Sequence, residues 1–171
     1  PPRDRGLRMA NIPHGPAALR ALPGTGRLLG VDLGDVRVGI AITDAGQLVA
    51  TPLETRDAVD GDDDQAADLA EVVADNEVGA VVIGYPRTLQ GREGPPAARA
   101  RRVATALAEQ TDLPVVLWDE RFTTVEAERV MLEQDASRRE RRAHIDRVAA
   151  TLILQGVVEA RRSPGGGAAW R

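Results

Sequence analysis

Leu28-Leu29-Gly30-Val31-Asp32-Leu33-Gly34-Asp35-Val36-Arg37-Val38-Gly39-Ile40-Ala41-Ile42-Thr43 is the stretch on which the reading of this chain turns. Leu28 to Leu33 is a short apolar run, and from Val36 the residues Val36, Val38, Ile40 and Ile42 alternate with smaller or polar ones. Two such runs parted by Gly34-Asp35 predict an antiparallel hairpin. A third run, Gln47 to Glu54, contains Pro52, which lacks a ladder donor and belongs on an edge strand. The chain is therefore expected to open as a three-stranded antiparallel meander.

Downstream the pattern changes. Gly61-Asp62-Asp63-Asp64 offers capping carboxylates, and Ala66, Leu69, Ala70 and Val73 recur at helical spacing up to about Asn76. Val78 to Gly84 and Pro114 to Trp118 are apolar without alternation, with a helical stretch from Pro95 to Gln110 between them. Strands of that kind separated by helices indicate parallel pairing, buried on both faces. Thr123-Thr124-Val125-Glu126 matches a capping box and predicts a helix to about Gln134. In the last helix Ile145, Val148, Ala149, Leu152, Ile153, Gly156 and Val157 share one face. The expected class is α/β, a mixed five-stranded sheet with three antiparallel strands followed by two parallel ones and helices on both faces.

With 171 residues the chain has room for one domain of ordinary size. Residues 1–27 carry Pro, Gly and five Arg without a period and read as a flexible basic extension, the folded unit as 28–160, and 161–171, with its Gly165-Gly166-Gly167, as a flexible tail. All 22 basic residues are Arg, against 26 Asp and Glu, so the net charge of −4 excludes polyanion binding by uniform positive charge and makes any basic site local. Aromatic content of 2% argues against stacking platforms for single-stranded bases. The absence of Cys removes disulfides, thiolate metal sites and Cys nucleophiles, and suits a reducing cytoplasm. No apolar run is long enough for a membrane span, and no signal-peptide core stands in residues 1–27.

Three acids stand where a solvated carboxylate is not expected: Asp32 between Val31 and Leu33, Glu120 at the end of a buried run, and Asp146 beside the apolar face of the last helix. A buried carboxylate needs an opposite charge or a cation. Taken singly, each is equally compatible with a turn, with an ion pair to Arg37 or Arg121, or with a solvated flank. If they converge, the all-oxygen set selects Mg²⁺ or Mn²⁺. The loop from Arg87 to Pro96 reads as mobile, with backbone N–H groups at the following helix start, Arg87 and Arg92 able to hold phosphates. Arg37 and Arg121 adjoin the acids. Arg138, Arg139, Arg141 and Arg142 form a candidate backbone-phosphate track, whereas residues 54–77, with ten acids and one Arg, should repel nucleic acid.

Four segments together resemble the YqgF/RuvX family of RNase H-like proteins, described as Holliday junction resolvases and pre-16S rRNA nucleases: Gly30 to Gly34 with Arg37 to Ala41; Val82 to Pro86 with Gly91 to Gly94; Asp119 to Thr124 with Ala127; and Ile145-Asp146 with Ala149-Ala150 and Ile153-Leu154. The resemblance spans about Leu28 to Glu159. It implies a three-layer RNase H-like fold and a cytoplasmic nuclease that uses acidic residues and a divalent cation, with Asp32, Glu120 and Asp146 at the matching positions. The implied chemistry is phosphodiester hydrolysis without a protein nucleophile. Processing of the pre-16S rRNA 5′ end is the first substrate expectation, and junction cleavage in DNA recombination the alternative. A homodimer is compatible with the open hairpin edge. The opening strand also suits sugar kinase or actin-like phosphotransferases, but these need a second lobe. A non-catalytic accessory factor that binds nucleic acid in RNA processing or transcription is the remaining reading.

Overall fold

The structure, a computed structural model, describes residues 12–120 and 138–163, except for the side chains of 138–147. The expected helix at 123–134 lies outside the described residues. The order is α1 (Pro16–Ala21), β1 (Arg27–Leu33), β2 (Arg37–Thr43), β3 (Ala50–Asp57), α2 (Asp62–Asp75), β4 (Val78–Tyr85), α3 (Pro95–Thr111), β5 (Val115–Asp119) and α4 (Arg138–Arg162). The strands form one sheet in the order β3-β2-β1-β4-β5. The pairs β1–β2 and β2–β3 are antiparallel, and β4 runs parallel to both β1 and β5. This is the mixed sheet the alternation and its later loss predict.

The sheet has helices on both sides. Leu29, Val31, Val38, Ile40 and Ile83 pack with Leu69, Val103 and Leu107 of α2 and α3. Leu28, Ala41, Val82 and Trp118 pack with Ala150, Ile153, Leu154 and Val157 of α4 and Ala18 of α1. That double cover explains why β1 and β4 read as unbroken apolar runs. Gly30 lets α4 sit close: a Cβ there would meet Leu154 Cβ at 2.9 Å and the Ala150 carbonyl oxygen at 3.0 Å. At the other end of α4, Arg161 donates to the Pro23 carbonyl (2.9 Å) and Arg162 to that of Leu48 (2.8 Å). These contacts fix the direction of α4: its N-terminal half points to the carboxyl ends of β1, β4 and β5.

Several boundaries differ from expectation. Three residues, Gly34 to Val36, link β1 and β2; Gly34 N–H donates to the Arg37 carbonyl (2.9 Å), and Val36 is 68% exposed rather than in the strand. The third strand starts at Ala50 rather than Gln47, because the Asp44 carboxylate accepts the N–H groups of Leu48 and Val49 (2.8 and 2.9 Å) and prolongs the turn. The same two bonds hold the Asp44 carboxyl below the usual carboxylate range. Pro52 does sit on an edge strand, at a register shift opposite Ile40 and Ala41. The largest difference is at the N-terminus. From Ile12 onward the segment expected to be flexible packs on the domain: Ile12, Ala18 and Leu22 are buried, Leu117 N–H donates to the Pro13 carbonyl (2.8 Å), and His14 bridges Leu117 in parallel. Arg161 and Arg162 likewise belong to α4 and not to a tail.

Candidate active site

Alternation along the strands decides which acids meet. Gly30 faces α4, so Asp32, two residues on, is on the same face; it is 6% exposed. In β5, Trp118 packs in the α4-side core, and Glu120, two residues on, continues that face just past the strand. The strand between carries Gly84. Register pairs Val31 with Ile83 and Gly84 with Trp118, which sets Gly84 level with Asp32 on one side and Trp118 on the other. Neighbouring strands lie about 4.8 Å apart. Glu120 crosses this gap: its Oε1 is 2.6 Å from where a Cβ of Gly84 would be, and Ile153 Cδ1 of α4 is 2.8 Å from the same point. A side chain at 84 would fill the space the carboxylate occupies.

Thus two of the three predicted acids share one face at the carboxyl end of the parallel strands, with a glycine hollow between them. Asp146 belongs to α4, four residues before Ala150, on the half that points to this end; its side chain lies outside the described ones. Among the described residues no group of three or more His, Cys, Asp or Glu is close enough to hold a metal ion.

The predicted basic residues divide. Arg37 starts β2 on the same face as Gly39, which pairs with Asp32, so it flanks the acids at the same end. Arg92 is exposed in the β4–α3 loop. Arg87 is engaged within the protein: its Nη1 is 3.8 Å from Asp119 Oδ2, it donates to the Gly91 carbonyl, and its guanidinium lies 5.8 Å over the Tyr85 ring. Arg121 lies outside the described residues, as do the side chains of Arg138, Arg139, Arg141 and Arg142.

The loop expected to be mobile is bonded throughout. Thr88 N–H donates to the Arg92 carbonyl (2.9 Å), Gly91 N–H to that of Thr88 (2.8 Å), and Arg92 N–H to Thr88 Oγ1 (3.0 Å). Helix α3 begins with Pro95 and Pro96, which have no N–H, so its first turn offers fewer phosphate donors than its sequence position suggests.

Sequence reasoning missed a polar cluster on the opposite face. The Tyr85 hydroxyl donates to Glu93 Oε2, and Arg101 donates to both Glu93 Oε2 (3.0 Å) and the Tyr85 oxygen (2.8 Å). The Tyr85 bond, then Arg101, hold the Glu93 carboxyl below its usual range, whereas burial, then Glu93, push the Tyr85 hydroxyl up. Asp119, 4% exposed, ends β5 on this face opposite Tyr85. The one available signal was Asp119 itself, a carboxylate closing an otherwise apolar strand.

Three comparisons with known proteins bear on this geometry. The family model for RuvX, described as Holliday junction resolvase, matches residues 26–160. Curated relatives include "Putative pre-16S rRNA nuclease" of Cereibacter sphaeroides (strain ATCC 17029 / ATH 2.4.9), 45% identical over 141 residues that cover 82% of this chain and 88% of the relative. A protein of the same name from Pelotomaculum thermopropionicum is 43% identical over 139 residues, covering 81% and 90%. Among solved structures, T. thermophilus RuvC in complex with Holliday junction substrate matches 81% of this chain and 98% of its own length with a TM-score of 0.52 at 16% identity, a likeness of fold.

Proposed function

The chain belongs to the RuvX family, a family of nucleases, and from that premise we propose that it is a metal-dependent endonuclease that cuts phosphodiester bonds of structured RNA, in processing of the 5′ end of pre-16S rRNA in the bacterial cytoplasm. The observation that carries the reading is the Gly84 hollow, with Asp32 buried on one side and the Glu120 carboxylate folded over it from the other. Among the described residues no helix is long and apolar enough to cross a membrane.

The donor set fits a hard divalent cation, since it consists of carboxylate oxygens in a chain without Cys. Asp32 and Glu120 would hold Mg²⁺ or Mn²⁺, with Asp146 as the third ligand from α4. Bound there, the cation supplies Lewis acidity at a phosphodiester oxygen and a more acidic water. The chain's own contribution is positional. Gly84 leaves room for the Glu120 carboxylate to lie beside Asp32, room that a side chain would take. Arg37, on the same face, pairs with a phosphate oxygen of the cut strand; Arg92, Arg121 and the Arg138, Arg139, Arg141 and Arg142 run grip flanking phosphates. Contacts of this kind read backbone and shape rather than base sequence.

Branched DNA is the second substrate reading, favoured by the description of the matching family. Incubation of the protein with a pre-16S RNA fragment, a four-way DNA junction and single strands, with Mg²⁺, Mn²⁺ or chelator, separates the two. Cleavage of the precursor RNA that needs the cation and falls by roughly 100-fold or more in Asp32→Asn and Glu120→Gln is the expected result. Cleavage unchanged in chelator or in both variants would contradict it. Faster turnover of the junction would shift the assignment to DNA, and binding without cutting in every condition would make the protein an accessory factor.

A further inference from the structure

Glu120 is the first residue after a five-residue strand, so what fixes its carboxylate over Gly84 must act at the end of β5. The last ladder pair there is Tyr85 with Asp119. Both residues send their side chains to the face away from α4, and the β4–α3 loop closes over them. Arg87 approaches Asp119 from that loop (3.8 Å) and lies over the Tyr85 ring, and Arg101 lies over the same ring at 5.4 Å. Glu93 and Arg101 tie the Tyr85 hydroxyl to α3. Asp119 is 5% exposed at its side chain, with the Arg87 guanidinium facing it, and Arg87 Nε is buried without a hydrogen-bond acceptor among the described residues. Arg87 is thus turned toward Asp119, Gly91 and Tyr85 of its own chain.

We propose that Arg87 and Asp119 are positioning residues: on the reverse side of the sheet they lock the end of β5 to the β4–α3 loop, and so hold Glu120 in place across Gly84. The proposal rests on the nuclease reading and reassigns Arg87 from substrate contact to support. Groups that orient a catalytic site from behind act on turnover rather than on substrate capture, and their loss costs roughly 10- to 100-fold in activity. Arg87 and Asp119 stand 3.8 Å apart, so the two positions are also expected to be coupled.

The test compares Arg87→Ala, Asp119→Asn, their double variant and Arg87→Lys with the full wild-type chain, using Glu120→Gln as reference. Four quantities are read: kcat and KM for a cleaved structured substrate, affinity for that substrate in chelator, and thermal midpoint. The expected result is a fall in kcat of roughly tenfold or more in Arg87→Ala and Asp119→Asn, with KM and chelator affinity within about twofold of wild type. The double variant should fall no further than the worse single one, and Arg87→Lys, which keeps the cation, should recover most of kcat. Losses that appear in KM and affinity with kcat unchanged would put Arg87 on the substrate and overturn the proposal. So would multiplied losses in the double variant, or normal kcat in Asp119→Asn. If Glu120→Gln cuts at the wild-type rate, the nuclease site itself is refuted and this support with it; if Glu120→Gln is inactive and Arg87→Ala is not, only the support is refuted.

Discussion

At the scale of single residues, the acids were legible and the glycine between them was not. Asp32 and Glu120 announce themselves because charge is costly inside an apolar run. Gly84 sits in a run where small residues are ordinary, and its role is an absence of atoms that only the folded neighbours reveal. The substitution Gly84→Ala therefore discriminates well. Its Cβ would be 2.6 Å from Glu120 Oε1 and 2.8 Å from Ile153 Cδ1, both too close. Both are ends of flexible side chains that can turn away, so we expect a stability loss of no more than about 1 kcal/mol, read from denaturant unfolding, but a displaced Glu120 carboxylate and a drop in cleavage rate of at least roughly tenfold that persists when the protein is fully folded. A normal rate in a folded Gly84→Ala would remove the hollow from the mechanism.

At the scale of elements, pattern gave type more reliably than edges. The double-sided burial of β1 and β4 follows from continuous apolar runs, yet β3 began three residues late because one side chain, Asp44, caps the turn before it. The β4–α3 loop is the clearest mismatch: Gly91, Gly94, Pro95 and Pro96 suggested mobility, but bonds among Thr88, Gly91 and Arg92 close the loop, and Tyr85, Glu93 and Arg101, 8 to 16 residues apart, tie it to the strand and to α3. This latch has a pH signature. The Tyr85 bond, then Arg101, hold the folded-state carboxyl of Glu93 below its unfolded value of about 4.3, so its stabilising contribution is full above that value and fades as pH falls through the folded-state value. The stability difference between wild type and Glu93→Gln, measured by urea unfolding, should be constant from neutral pH to about pH 5 and shrink on further acidification. A difference that grows toward acid would contradict the latch.

At the scale of the whole molecule, residues 12–22 show how composition can mislead. Pro, Gly and Arg punctuate that segment, but Ile, Ala and Leu outnumber them there; Ile12, Ala18 and Leu22 are buried against the domain, and a strand-like bridge at His14 and Leu117 lies at the outer edge of β5. The arm is thereby part of the folded unit. Ala18→Asp, which would bury a carboxylate between α1 and the sheet, should lower global stability by about 2 kcal/mol or more in a single cooperative transition; an unchanged urea midpoint would show that the arm is dispensable. The proposed metal site requires β1, β5 and α4 to bring Asp32, Glu120 and Asp146 to one point at the carboxyl end of the parallel strands. An anomalous-difference map from crystals of the protein soaked in Mn²⁺ tests it most directly. We expect a peak beside Gly84 within about 2.0 to 2.6 Å of oxygens from Asp32, Glu120 and Asp146; at saturating Mn²⁺, a map with no peak there, or with Asp32 and Glu120 turned away from it, would refute the metal site.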